Sequence, residues 1–405
     1  MKNFDQIRND FPLLRSRANG KLPIYFDNAC QSLRPQSVID AINGYYRDYP
    51  ACGGRSMHRL AETVTRKCDE ARKDVARFIN AKRKEEIVFT RNTTEGINLV
   101  ANTLSLKKGD VVVTSDKEHN SNLIPWQVLK RKIGIEHRIV PTKMDNTFNL
   151  ETFKSLVDER VKLISLGFTS NLDGMTIPAA EVIKIAHNAG ALVLLDAAQA
   201  APHHKIDVQT LNVDFLAFSG HKMLAPSGTG VLYGKYHLLE RLEPFLVGGD
   251  TVSSSTYDSC QFLPPPEKFE AGLQDYAGII GLGEAVKYLE KIGFEAIEKQ
   301  ERQLNKAITQ GIVDIPKLQL IGIPDPNLRA GIVSFYVEGV DSHQIALMLD
   351  QTANIMVRSG QHCVHSWFAS RKIAGSVRAS LYFYNTLEEA EIFVNNLKKV
   401  LQVFK

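Results

Sequence analysis

The sequence predicts an α/β protein built on a doubly wound, mainly parallel sheet, followed by a smaller α+β unit. Three observations predict it. Apolar strand-like runs alternate with segments of helical period over roughly 200 residues. Polar residues recur just past the strand ends, which is where sheets of this kind bind ligands. From residue 279 the alternation gives way to long helices with few strands. The expected division is residues 22–286 as the larger unit and 287–405, joined by 1–21, as the smaller one.

A chain of 405 residues exceeds one small core. Its 44% hydrophobic and 23% charged content is that of an ordinary globular protein. A net charge of +4 is too weak at this size to indicate nucleic acid or a membrane surface as partner. The longest uncharged apolar runs, such as 191–195, are far too short to span a bilayer. The first fourteen residues carry Lys2, Asp5, Arg8 and Asp10, unlike a secretory signal. Cysteines 30, 52, 68, 260 and 363 are odd in number and lack C-x-x-C spacing. That pattern fits a reducing cytosol and opposes a disulfide framework or a structural zinc site. A cytoplasmic location is expected.

In chain order, residues 3–14 read as a short amphipathic helix closed by Phe11-Pro12, and 24–28 as a strand entering a polar turn. Residues 35–49 and 59–80 have helical period, and the glycine-rich 51–56 between them reads as a loop. A strand over 86–90 meets Arg91-Asn-Thr-Thr-Glu95, which opens a helix to residue 104. A strand over 110–115 is followed by the polar run 116–122 and a helix over 124–132. Strand 138–141, helix 149–160 and strand 161–167 lead to Phe168-Thr-Ser-Asn171. Helix 178–189 precedes the strand that ends in Asp196-Ala-Ala-Gln199, and a helix-like segment follows. Strand 215–218 stops at Ser219-Gly-His-Lys222, and 228–234 is a glycine-bounded strand. Residues 250–272, with Ser253-Ser-Ser255 and Pro264-Pro-Pro266, read as a long loop of specific use. Beyond it come a helix over about 280–310, strand 331–337 and helices 342–351 and 387–402.

The strand ends carry the chemistry. Lys222 lies just past a strand, between apolar stretches. Shielding from water lowers a lysine's pKa and makes it a usable nucleophile or base, able to form a Schiff base with a carbonyl cofactor; taken alone it reads as a surface loop lysine. Thr93 and Thr94 at a strand-to-helix turn suit a phosphate, through hydroxyls and free N–H groups, or else a simple helix cap with Glu95 behind it. Asp196 is either a helix cap or a buried carboxylate holding a heteroaromatic nitrogen protonated. His119 is either a surface histidine or a ring lying flat on a cofactor. Taken together, a phosphate turn, a histidine, a strand-end aspartate and a strand-end lysine are what pyridoxal phosphate requires.

Cys363 follows His362 in a loop near Arg358, a setting that lowers a thiol's pKa and favours a nucleophile; the alternative is an inert, half-buried cysteine. His362-Cys363 with His365, and His203-His204, are poor metal sites, because adjacent residues rarely give several ligands to one ion. Gly278-Ile-Ile-Gly-Leu-Gly283 does not match a dinucleotide loop, and no phosphate-loop run of the G-x-x-x-x-G-K-[ST] type is present.

On these motifs the chain resembles the class V aminotransferase-type, fold-type I pyridoxal-phosphate enzymes, and within them the Suf-type (group II) cysteine desulfurases and selenocysteine lyases. The likeness rests on Thr93-Thr-Glu-Gly-Ile-Asn-Leu-Val-Ala-Asn102, Glu118-His119, Asp196-Ala-Ala-Gln199, Ser219-Gly-His-Lys222, Phe269-Glu-Ala-Gly272, Arg358-x-Gly-x-His-Cys363 and Arg378. The resemblance implies that Lys222 anchors the cofactor and shuttles the Cα proton. It implies that Asp196 pairs with the ring nitrogen, Gln199 meets the ring hydroxyl and His119 stacks on the ring. Thr94, with Thr93, Ser219 and His221, would bind the phosphate, and Asn171 and Arg378, with Arg358 near, the substrate. Cys363 would take sulfur from L-cysteine as a persulfide, releasing L-alanine and serving a sulfur acceptor or iron–sulfur scaffold. A homodimer is implied, and selenocysteine lyase or another class V lyase or epimerase is the alternative activity.

Three stretches depart from the family pattern. Gly54-Arg55-Ser56 stands where His-Arg-Gly is common, and Leu273-Gln-Asp-Tyr276 where Thr-Pro-x-Thr is usual. Val364-His-Ser-Trp-Phe368 replaces Ala-x-Pro-Leu. All three fall around the expected substrate and dimer surfaces.

Overall fold

Strands such as Val161–Gly167 and Phe215–Ser219 are buried along almost their whole length, so the sheet they form must be covered on both faces. The computed structural model describes residues 4–17 and 20–404. Asn3, the first residue of the expected first helix, and Lys2 before it lie outside the described residues.

A first short strand, β1 (Ile24–Tyr25), is followed by β2 (Ile87–Thr90), β3 (Val111–Ser115), β4 (Glu136–Val140), β5 (Val161–Gly167), β6 (Leu192–Asp196), β7 (Phe215–Ser219) and β8 (Gly230–Gly234). Strands β2 to β8 form one seven-stranded sheet in the order β2-β8-β7-β6-β5-β3-β4. Strand β8 is antiparallel to β2 and β7, and the other pairings are parallel. The parallel strands therefore end along one edge, where Ser115, Gly167, Asp196 and Ser219 come together. The fold is the expected mainly parallel α/β sheet, and its core joins Val113, Ile164, Leu195, Leu216 and Val231 with Val75, Leu282 and Leu289 of the covering helices.

The remaining strands are β9 (Val252–Ser255), β10 (Cys260–Phe262), β11 (Leu318–Ile321), β12 (Ile332–Val337), β13 (Ile355–Met356), β14 (Arg358–Gly360) and β15 (Ser376–Ser380). A four-stranded antiparallel sheet has the order β11-β12-β15-β14, and it is packed by the helices Phe294–Ile312 and Leu387–Gln402. Register places Arg358 of β14 directly opposite Arg378 of β15. Strand β1 pairs in parallel with β13, which brings the turn after residue 26 to this second sheet.

Several expected elements differ. The first helix is only Phe4–Ile7, followed by 3₁₀ turns at Arg8–Asp10 and Pro12–Arg15; Pro12 has no N–H to continue it. The single helix expected over 280–310 is two, Tyr276–Ile292 and Phe294–Ile312, because Gly293 adopts φ 85° and ψ 133° between them. The loop expected over 250–272 contains the β9–β10 hairpin. The helix Asn120–Ile133 starts four residues earlier than expected and accommodates Pro125 in its second turn. Among the described residues no helix is long and apolar enough to cross a membrane.

Gly230 holds β8 against the start of the helix Thr93–Thr103. A Cβ there would lie 2.6 Å from the Asn92 Cα, and Asn92 caps that helix by accepting the Glu95 N–H. Backbone cannot yield as a side chain can, so Gly230→Ala is expected to cost about 1–3 kcal/mol of stability. Urea unfolding followed by circular dichroism checks this, and an unchanged midpoint would remove Gly230 from the packing of the helix start.

Candidate active site

Beyond the shared strand edge lies a cavity of about 230 Å³. Asp196 ends β6 and Ser219 ends β7, so neighbouring strands deliver both to its floor. Asp196 Oδ1 accepts the Ala198 N–H at 3.0 Å. Burial raises its pKa, and the charge of Lys222 opposes the shift. Lys222 follows β7 in a 3₁₀ turn. Burial lowers its pKa, Asp196 counters this, and Arg378 and Arg358 add to the lowering.

His119 caps the helix Asn120–Ile133, and its Nδ1 accepts the Ser121 N–H at 3.1 Å. That bond leaves the proton on Nε2. Burial, then the charges of Lys222 and Arg378, push His119 down to about 3, so the ring is neutral at physiological pH. His221 is pushed down to about 4 by burial and by Lys222. Gln199 Nε2 donates to Ala29 O at 2.8 Å, whereas its Oε1 is buried without a hydrogen-bond partner among the described residues.

Two hydroxyl pairs line one end of the cavity. Thr93 and Ser219 hydroxyls are 2.6 Å apart, with Ser219 Oγ also accepting the Thr93 N–H. Thr94 and Ser121 hydroxyls are 2.7 Å apart. Each pair uses one hydroxyl hydrogen internally and leaves the other to donate outward. These donors sit at the N-terminus of the helix Thr93–Thr103, an end that favours a phosphate.

The other end is cationic. Arg378 is buried and donates from Nη1 to Asn171 O at 2.9 Å. Its Nε and Nη2 have no hydrogen-bond partner among the described residues. Asp27 Oδ1 approaches Nη2 only to 3.5 Å, an ion pair too long for a good hydrogen bond. Burial lowers Arg378 to about 10. One edge of the guanidinium fork is thus open for a carboxylate.

Arg358 and His362 complete the wall. Cys363 is next to the cavity rather than among its lining residues, half-buried, with Arg358 Nη2 at 3.6 Å from its Sγ. His362 bonds Ser376 and His365 bonds Asn120, while His203 and His204 each bond a glutamate, Glu301 and Glu298. The structure thus places Thr93, Thr94, His119, Asn171, Asp196, Gln199, Ser219, His221, Lys222, Arg358 and Arg378 around one cavity, with Cys363 beside it.

It adds Cys30, Lys117, Glu118 and Ser121 to the lining. Ser121 had a signal, a hydroxyl in the first turn of a helix two residues after His119. Lys117 had none, since its partner Asp173 lies 56 residues away. The departing stretch Gly54-Arg55-Ser56 is tied by an Arg55–Asp250 ion pair and by Tyr276 Oη donating to Gly53 O at 3.0 Å.

Residues 24–393 match the family model described as aminotransferase class-V. The chain belongs to the class-V aminotransferase family. A probable cysteine desulfurase of Synechocystis is 42% identical, over 98% of this chain and 96% of that protein. Another from Halalkalibacterium halodurans is 40% identical over 99% of each. Among solved structures, the cysteine desulfurase of Thermococcus onnurineus is similar at a TM-score of 0.94, with 39% identity, covering 100% of this chain and 99% of that one. CsdA of Escherichia coli, solved as an S-sulfonic acid, has a TM-score of 0.92 and 33% identity, covering 100% of this chain and 99% of that one.

The family's cofactor is pyridoxal phosphate, and this class-V cavity fits it. The spare hydroxyl donors suit the phosphate, the unpartnered Gln199 Oε1 suits a ring hydroxyl, and the buried Asp196 suits a protonated ring nitrogen. Of these, Gln199 Oε1 is a buried polar atom that would otherwise stay unsatisfied among the described residues.

Glu118 is buried beneath this site. Its Oε1 accepts from the Ser115 hydroxyl at 2.6 Å, and its Oε2 from Asn122 Nδ2 at 2.7 Å and Gly167 N at 2.8 Å. Burial raises it from 4.5 to about 7 despite bonds from Ser115 and Asn122, and Asp196 adds to the rise. Between those values the folded protein holds more protons than the unfolded chain, so stability falls as pH rises. Relative to Glu118→Gln, the wild type is expected to lose on the order of 2–3 kcal/mol across this range. Urea titrations of both proteins at the two ends of the range test it; parallel pH dependences would refute the assignment.

Proposed function

We propose that the chain is a pyridoxal-phosphate-dependent cysteine desulfurase that converts L-cysteine to L-alanine and receives the sulfur as a persulfide on Cys363. The observation that carries the reading is Arg358, which lines the cofactor cavity on one side and reaches Cys363 Sγ at 3.6 Å on the other. A thiol is thereby set beside the position that the side chain of a bound amino acid would take.

Bound pyridoxal phosphate supplies an electron sink for negative charge at the carbon next to the substrate's amino group. Lys222 Nζ would hold it, and its lowered pKa leaves an amine able to take and return the Cα proton. Asp196 would hold a proton at the ring nitrogen. Neutral His119 would cover the ring without placing a second positive charge against it. Thr93, Thr94, Ser219 and His221 hold the phosphate, with Ser121 beside Thr94. The open Nε and Nη2 of Arg378, with Asn171 beside it, orient the substrate carboxylate.

With the substrate fixed at that end, its sulfur lies toward Cys363. The Cys363 thiolate bonds to it as the Cβ–S bond breaks, and a proton quenches the electron pair left on Cβ. Alanine departs, and Cys363 carries one additional sulfur. Arg358, whose Nη2 lies 3.6 Å from Sγ, faces the reacting sulfur through this step.

The same reading makes the protein a cytoplasmic homodimer that hands sulfur to an acceptor protein in iron–sulfur cluster assembly. Exposed Leu246 and Leu273 border one groove with Arg91 and Gln274, a surface of the mixed apolar and polar kind that subunits cover. It also keeps residues 22–286 as the cofactor-holding unit, around the seven-stranded sheet, with 287–405 and 1–21 around the smaller one. Arg8 supports that grouping through Glu389 at 2.7 Å, although Phe11 packs in the larger core.

Two variants test this. Lys222→Ala is expected to lose the yellow absorbance of lysine-bound cofactor. Cys363→Ala is expected to keep that absorbance while alanine formation from cysteine, assayed with added thiol, drops at least about tenfold. Undiminished alanine formation by Cys363→Ala would sink the persulfide role.

A further inference from the structure

The turn that carries Cys363 is gripped at two consecutive carbonyls. Asn120 N–H donates to Cys363 O at 2.7 Å, and Asn171 Nδ2 donates to His362 O at 2.8 Å. Both gripped residues are left-handed, with φ 48° at His362 and φ 61° at Cys363. Side chains other than glycine rarely adopt that region, and two in succession persist only where the surroundings hold them. The two grips supply that hold.

They come from different loops. Asn120 follows β3, at the end of the run Asp116-Lys-Glu-His-Asn120, whereas Asn171 follows β5. One side chain spans the gap between the loops. Lys117 Nζ donates to Asp173 Oδ2 at 2.7 Å and to Asn146 O at 2.8 Å. Asp173 is fully buried, and Lys117 keeps only 9% of its side chain exposed. The second carboxylate oxygen of Asp173 accepts the Met175 N–H at 3.1 Å, so the carboxylate is part of the turn that presents Asn171. That turn is closed further by Gly174 N–H to Ser170 O and Ser170 N–H to Met175 O. The backbone oxygen of Asn171 holds Arg378, so one turn serves both the nucleophile and the carboxylate fork.

Stability alone does not account for such a pair. Replacing both members of a buried ion pair by uncharged residues is often neutral or better, because desolvation offsets their attraction. Its place between the two grips does account for it. We propose that Lys117 and Asp173 are positioning residues: their ion pair fixes the spacing of the Asn120 and Asn171 grips and so holds Cys363 at the cavity. This rests on the reading of Cys363 as the sulfur-accepting thiol.

The test uses the full-length holoenzyme of the double substitution Lys117→Met with Asp173→Asn. It removes both charges together, so no buried charge is stranded, and the asparagine retains an oxygen for the Met175 N–H. Cofactor absorbance should stay within about twofold of wild type, while kcat falls about ten- to hundredfold, the scale of a misplaced reacting group. Hydrogen exchange at the Asn120 amide should quicken, and Lys117→Arg alone, which keeps a cation opposite Asp173, should retain most of kcat. Unchanged kcat and unchanged exchange at Asn120 would overturn the proposal, as would a loss of cofactor equal to the loss of kcat, which marks general damage. Should Cys363→Ala itself make alanine at the wild-type rate, the persulfide role of Cys363 fails separately; the Asn120 exchange then still reports whether the brace exists.

Discussion

The structure depends on keeping Asp196, Lys222 and Arg378 out of water within one cavity. Charged groups do not remain buried without partners, and here each partner set is incomplete. Asp196 and Lys222 counter one another's shifts, yet Arg378 keeps two nitrogens without hydrogen bonds. A folded chain tolerates this where a ligand completes the set, and a phosphorylated pyridine with an amino-acid carboxylate supplies the missing groups. The parallel sheet makes the convergence possible. Its strands end along one edge, so residues from positions 115 to 222 meet there although the chain separates them by whole strand–helix units.

Much of this was legible in the sequence because strand ends are legible. The apolar run into Ser219-Gly-His-Lys222 and the run into Asp196-Ala-Ala-Gln199 each mark a strand by composition and its end by an abrupt polar residue. Position past a strand end, in an alternating α/β chain, already implies the ligand edge. A residue such as Lys117 acquires its surroundings only through tertiary neighbours. Lys117 looked like any charged loop residue until Asp173 was brought beside it. The break at Gly293 was hidden for a related reason. Helical period continues on both sides of it, and a single glycine within a periodic stretch is ambiguous without its φ.

The second sheet contributes what the first cannot. Arg358 and Arg378 face one another across β14 and β15, and like charges placed directly opposite on neighbouring strands repel. Asp27, delivered by the turn that follows β1, lowers that repulsion, and its own carboxyl is raised by burial despite Arg378 and Arg358. The arginine pair therefore has less negative charge around it than its position calls for. Under the proposed function, a substrate carboxylate would supply the missing charge to Arg378, and the reacting sulfur of Cys363 would supply it to Arg358.

These two anions meet their arginines through loops that the larger sheet supplies. The run from Asp116 to Asn120 has a separate contact at each position: Asp116 to Arg371 at 3.2 Å, Lys117 to Asp173, Glu118 to Gly167, His119 to the Ser121 N–H, and Asn120 to Cys363 O. His119, which lines the cavity, is thus covalently adjacent to Asn120, which grips the Cys363 backbone. Loosening that grip would free two left-handed residues whose conformation is otherwise unfavourable. The cofactor pocket and the thiol turn are in this way one mechanical unit, although they arise from opposite ends of the chain and from different sheets.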